Sequence, residues 1–161
     1  MEEKTNVMRI LDQKKVSYIP HTYETEVAAS GTEAADIIGV ERRRVFKTLV
    51  TVGKSANHYV FVIPVENELD LKKAAKAVGE KSVEMIKAKD LLPLTGYIHG
   101  GCSPIGMKKF FRTTFHITAD DFESIVFSAG KIGCHIQLNI KDLSKVIRFG
   151  FADLVKTEEC L

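Results

Sequence analysis

The chain has 161 residues, a formal net charge of +2, 45% hydrophobic and 27% charged residues, the make-up of one ordinary globular domain with a sizeable core. That charge is too small to argue for nucleic acid by itself, no apolar run approaches the ~18 residues of a membrane span, and the charged N-terminus MEEKTNVMRILDQKK lacks the apolar centre of a signal peptide. Cys102, Cys134 and Cys160 form no CxxC pair, which argues against a disulfide framework or zinc ribbon and makes the cytoplasm the expected compartment.

Val7, Met8, Ile10 and Leu11 recur at helical spacing and predict an amphipathic helix over 5–15. SYIPHTY (17–23) reads as a short strand, with Pro20 pointing to an edge position. Ser30-Gly31-Thr32-Glu33 is a capping box that opens a helix through Ile38, and Gly39 is placed to end it. VFKTLVTV (45–52) and HYVFVIPV (58–65) are rich in β-branched and aromatic residues, and GKSAN between them makes a hairpin. A helix follows in LDLKKAAKAVG, with Leu71, Ala74, Ala75 and Val78 on one side and Gly79 as its stop. Shorter strands are predicted at 83–86, 97–99, 113–117, 124–128 and 133–138, then a helix over about 140–147 capped by Asn139 with Asp142 in its first turn. The pattern predicts one α+β domain over 1–161, built on a mixed, mostly antiparallel sheet or partial barrel surrounded by helices.

HGGCSPIGMKK (99–109) is the densest chemical stretch. Gly101 and Gly106 have the separation of a phosphate-binding GxxxxGK[ST], but Met107 stands where the lysine must be. GxGxxG and GxSxG are absent. Cys102 reads as a small residue packed in a turn rather than a nucleophile. The backbone remains: Gly100, Gly101 and Gly106 permit unusual dihedrals, and Pro104 keeps Ser103 extended. Such a loop is either a structural turn or a rigid presenter of N–H groups to a carbonyl or oxyanion.

Lys47 is the second oddity, because it interrupts a run apolar enough to be buried on both faces. A desolvated ammonium is costly unless paired, so Lys47 snorkels, is salt-bridged, or is kept as a functional cation or amine. His21, His58, His99, His116 and His135 show no metal-ligand spacing, and neither a metal nor another cofactor is implied.

His21-Thr22-Tyr23, FKTL around Lys47, LDLKKAAKAVG, VEM, GYxxGGxSPxG and SAGKxG at 128–133 occur together in this order. The combination resembles the YbaK/EbsC family of Cys-tRNA(Pro) deacylases, whose fold is also the editing insertion domain of bacterial prolyl-tRNA synthetase. The resemblance implies trans-editing: hydrolysis of the ester in tRNA(Pro) mischarged with cysteine, with prolyl-tRNA synthetase as a candidate partner. It implies that Lys47 positions the aminoacyl end and that the substrate's own thiol attacks the ester carbonyl. By position, Gly100 and Gly101 would bind the oxyanion, Tyr23 would line the pocket, and Ser103, Pro104 and Gly106 would hold the loop. Ser128 and Asp142 match positions near the pocket, although either also reads as a turn residue or a helix-start charge. Arg43, Arg44, Lys108 and Lys109 are candidates for the tRNA backbone. A deacylase for another small residue such as alanine, or a non-catalytic tRNA- or nucleotide-binding module, are the competing readings.

Overall fold

The computed structural model describes residues 4–24 and 30–157. Among them are five helices and eight strands in two sheets. Helix α1 (Asn6–Gln13) starts at Thr5, whose side chain accepts from the Met8 N–H, and buries Val7, Met8 and Leu11. Strand β1 (Tyr18–Thr22) pairs antiparallel with β7 (Cys134–Asn139), which pairs with β6 (Ser124–Lys131). The order β1-β7-β6 leaves β1 at an edge, where the missing N–H of Pro20 is tolerated.

The second sheet has the order β4-β2-β3-β5-β8. Strands β2 (Phe46–Gly53) and β3 (His58–Pro64) form the expected hairpin, with β4 (Val83–Met85) antiparallel on its outer side. Strands β5 (Arg112–His116) and β8 (Gly150–Ala152) add in parallel, so the sheet is mixed. The two sheets meet where Val45 bridges Val126 in parallel, and they do not close into a barrel. β3 explains its own apolar sequence: Val60 and Val62 join the core under α1, while Tyr59, Phe61 and Ile63 join the core under α3. A third cluster joins Ala35, Val45, Val65 and Val126.

Helix α2 (Gly31–Ile38) is capped by Ser30, which accepts from the Glu33 N–H, and ends at Gly39 in the left-handed region. Helix α3 (Leu71–Val78) is capped by Asp70 and ends at Gly79. Ala74, Ala75 and Val78 are buried as expected, but Leu71 lies in the exposed first turn. Three further expectations need correction. Residues 97–99 are not a strand: Gly96 and Gly100 have positive φ, and the Gly101 N–H closes a turn on the Ile98 carbonyl at 3.0 Å. Helix α4 (Ala88–Thr95) was not expected, since Pro93 sits inside it and Lys87 gives it no side-chain cap. Helix α5 (Ile140–Leu143) stops well short of residue 147 and gives way to a turn.

Candidate active site

Strand alternation gathers the polar residues of four strands into one row. Two residues on from the Val45–Val126 bridge, Lys47 and Ser128 lie on the same face as the bridge. Ser128 is the register partner of His135 on β7, and His135 is the partner of His21 on β1. Tyr23 follows β1, donates its N–H to the Gly133 carbonyl at 2.9 Å and stacks on His135 with ring centroids 5.9 Å apart. Lys47, Ser128, His135 and Tyr23 are therefore neighbours in space although they are spread across 112 positions from Tyr23 to His135 (135 − 23).

The electrostatics of the row are those of a desolvated site. Lys47 is half-buried and has no ion pair among the described residues. Burial pushes its amine below the ordinary lysine value, with Glu68 pulling weakly the other way. A salt bridge among the described residues therefore does not account for it. His135 is 8% exposed, and burial drops its imidazole to about 4, helped by the His21 charge. It is therefore neutral at ordinary pH, and its Nδ1 is buried without a hydrogen-bond partner among the described residues. An orphaned polar atom of this kind costs about 1–3 kcal/mol. Such a cost is tolerable where a ligand supplies the missing partner.

His135 went unmarked in the sequence reading. The signal was present in CHIQLN, where His135 and Gln137 alternate with apolar residues and so share a face. Gln137 extends the network, its Oε1 accepting from His21 Nε2 at 2.9 Å and its Nε2 donating to Ser124 Oγ at 2.9 Å.

The glycine loop abuts this row. A Cβ on Gly101 would stand 3.3 Å from the Ile132 nitrogen and 3.5 Å from the Lys131 carbonyl carbon, at the tip of the β6–β7 hairpin. A side chain there would crowd the facing backbone by a few tenths of an ångström. Ser103 is fully buried and its Oγ accepts from the Ile105 N–H at 3.3 Å, Pro104 is buried, and Gly106 has a φ of 79°. Tyr97 locks the same turn by donating its hydroxyl to the Ile105 carbonyl. The Gly101 N–H is consumed inside the loop by Ile98. The N–H groups of Gly100 and Cys102 make no hydrogen bond among the described residues. Cys102 is buried and its thiol is pushed up to about 12, far from a usable thiolate.

Other expected residues fall elsewhere. Asp142 sits in the first turn of α5, ion-paired to Lys145 at 3.4 Å, beyond the Asn139–Ser124 end of the β6–β7 pair. That is the end remote from Ser128, so the structure does not bring Asp142 to the row. Arg43 is paired with Glu41 at 2.7 Å and Arg44 with the same carboxylate at 3.5 Å, and both guanidinium groups lie over Phe122. Lys108 and Lys109 are exposed beside the loop.

A family model for the aminoacyl-tRNA editing domain matches residues 25–146. The chain belongs to the aminoacyl-tRNA editing domain family. A protein of Enterococcus faecalis bearing the name Cys-tRNA(Pro)/Cys-tRNA(Cys) deacylase EbsC is 46% identical over 158 residues, covering 98% of this chain and 96% of that protein. The proline–tRNA ligase of Fervidobacterium nodosum is 24% identical over 150 residues, 93% of this chain but 25% of the ligase. A solved structure described as a trans-editing enzyme for prolyl tRNA synthetase matches with a TM-score of 0.81 at 22% identity, covering 96% of this chain and all of that one. At that identity the likeness establishes the fold, which is the α+β arrangement expected from the sequence.

Proposed function

We propose that this protein is a trans-editing deacylase that removes cysteine from mischarged tRNA(Pro). One editing domain spans the chain. The observation that carries the reading is Lys47, an unpaired and partly desolvated ammonium that shares its face with Ser128 and His135 beside a glycine loop with unengaged N–H groups. A partly desolvated cation and free backbone amides suit an ester carbonyl that gains negative charge in the transition state. The 46% identity to a protein named as a deacylase supports the same activity.

The side chains at the site hold and orient more than they attack. Cys102 is a protonated thiol, and His135 is too weak a base to activate water efficiently at neutral pH. The nucleophile then comes from the substrate. Its cysteine sulfur closes on the ester carbonyl, the C–O bond to the terminal ribose breaks, and the thiol proton passes to the departing 3′ oxygen. Water later opens the resulting thiolactone. Lys47 and the Gly100 and Cys102 N–H groups stabilise the oxyanion in the first step, while Gly101 supplies the close approach rather than a donor. Tyr23, Ser128 and His135 form the wall against the amino-acid moiety. Prolyl-tRNA synthetase is the partner that generates the substrate, since cysteine and proline are close in size and a binding pocket separates them poorly.

The test is release of amino acid from purified Cys-tRNA(Pro), Ala-tRNA(Pro) and Pro-tRNA(Pro). This reading predicts turnover of the first alone. Cleavage of the alanyl ester in preference to the cysteinyl one would replace it with an alanine-specific deacylase, and no turnover of any ester would leave a binding module.

A further inference from the structure

Resting on the deacylase reading, we infer a second RNA-binding surface, a trough at the free edge of the five-stranded sheet that holds the unpaired 3′ strand of the tRNA acceptor arm. Beside β8 lies a groove of about 440 Å³ whose walls include Arg112, Arg148, Phe110, Phe149 and Phe151, and no carboxylate. Phe110 is 48% exposed and Phe151 36% exposed, unusual for rings with no water-facing polar tip. Phe149 is fixed from both sides, 5.1 Å from Phe115 and 5.5 Å edge-on to Phe151. Arg148 has neither an ion pair nor a hydrogen bond among the described residues, and Arg112 gives two long contacts of 3.4 Å to the Val78 and Ala77 carbonyls at the end of α3.

The position of the groove joins it to the catalytic loop. A smaller hollow of about 160 Å³, lined by Pro104, Gly106 and Met107, shares Phe110 and Thr113 with it. The loop that carries Gly100 and Cys102 thus also lines the hollow next to the trough. Single-stranded RNA is the ligand that matches: each base offers a face for an exposed ring, worth about 1–3 kcal/mol per base in alanine substitutions. Each phosphate offers a bidentate acceptor to a free guanidinium. With the ester held at Lys47, the preceding nucleotides would reach the guanidinium groups and rings of the trough by way of the hollow beside the glycine loop.

The test measures binding of deacylated tRNA(Pro) by fluorescence anisotropy across a salt series, and hydrolysis of both Cys-tRNA(Pro) and the short ester 3′-cysteinyl-adenosine. In the R112A/R148A variant the slope of log K against log salt falls by roughly 1.4–1.8, the share of two phosphates. F110A weakens tRNA binding by about 5- to 150-fold, whereas Phe110→Tyr restores it. R148A and F110A remove no hydrogen bond, so a loss there is not a loss of fold. All variants hydrolyse the short ester within about 2-fold of wild type while losing kcat/KM on the full tRNA. An unchanged slope and affinity, no tRNA binding by the wild type, or equal losses on both esters overturns the trough. If the wild type binds tRNA with this salt and mutant pattern yet cleaves neither ester, the deacylase reading fails and the trough stands.

Discussion

Tyr23 and His135 stack with their ring planes 29° apart and their centroids 5.9 Å apart, next to Ser128, the register partner of His135. The stack holds a neutral imidazole in a place where its charged form is disfavoured, since burial brings its pKa from 6.5 to about 4. The folded chain therefore binds fewer protons than the unfolded chain between these values. Stability falls as the pH falls from 6.5 towards 4, by on the order of 3 kcal/mol in total from this residue. His135→Gln flattens that part of the curve. Urea unfolding midpoints at pH 7 and pH 4.5 measure it; an equal pH dependence in both proteins rules the assignment out.

Lys47 carries the opposite combination of cost and use. Because its charge is partly desolvated and unpaired, Lys47→Met keeps or raises the thermal midpoint while abolishing catalysis. Differential scanning fluorimetry and a deacylation assay on the same preparation separate the two effects. A variant that loses both together would mean that Lys47 supports the fold.

The same residue sets the alkaline limb of the pH profile. Activity requires the ammonium, and burial lowers its pKa, so the enzymatic rate declines at a pH below the ordinary lysine value of 10.5. The linked stability effect has the other sign. The unfolded chain binds the extra proton in that window, so Lys47 makes the fold more stable as pH rises through it. Rates corrected for spontaneous ester hydrolysis give the first quantity. Replacement of Lys47 by Arg, which stays charged throughout, removes the limb from whatever activity it retains.

Gly106 and Cys102 divide the loop into a part that matters and a part that fills space. Gly106 has a φ of 79°, and a Cβ there would stand 2.8 Å from the Tyr97 hydroxyl oxygen. Gly106→Ala costs roughly 1–3 kcal/mol of stability, combining left-handed strain with displacement of that hydroxyl, and lowers activity by misplacing the loop. Cys102→Ala costs about 1 kcal/mol for a small lost contact volume and leaves the deacylation rate within 2-fold. Guanidinium unfolding and single-turnover rates check both. Loss of activity in Cys102→Ala at full stability would restore a protein thiol to the mechanism.

Much of this was legible before any coordinates, and the limits follow physical lines. Local signals were read correctly where one residue does one job: Ser30 and Asn139 at helix starts, Gly39 and Gly79 at helix ends, Pro20 on an edge strand. Lys47 stood out because a charge in an apolar strand has few explanations. Helix α4 was missed because Pro93 and an uncapped start hide it, and β8 because three residues containing Gly150 carry no periodicity. His135 was missed for another reason. Its burial comes from the strands on either side and from Tyr23, none of which is near it in sequence. That the Gly101 N–H is taken up by the Ile98 carbonyl while those of Gly100 and Cys102 are not could not be read either, since it depends on a turn that only the fold reveals.

The most direct test of the account is the single-turnover rate on Cys-tRNA(Pro) for the wild type and Lys47→Ala at equal, saturating concentrations. The account predicts a loss of at least about 100-fold, the scale for removing one oxyanion-stabilising group, with tRNA affinity changed by less than about 3-fold. A Lys47→Ala rate within a few-fold of wild type would contradict it.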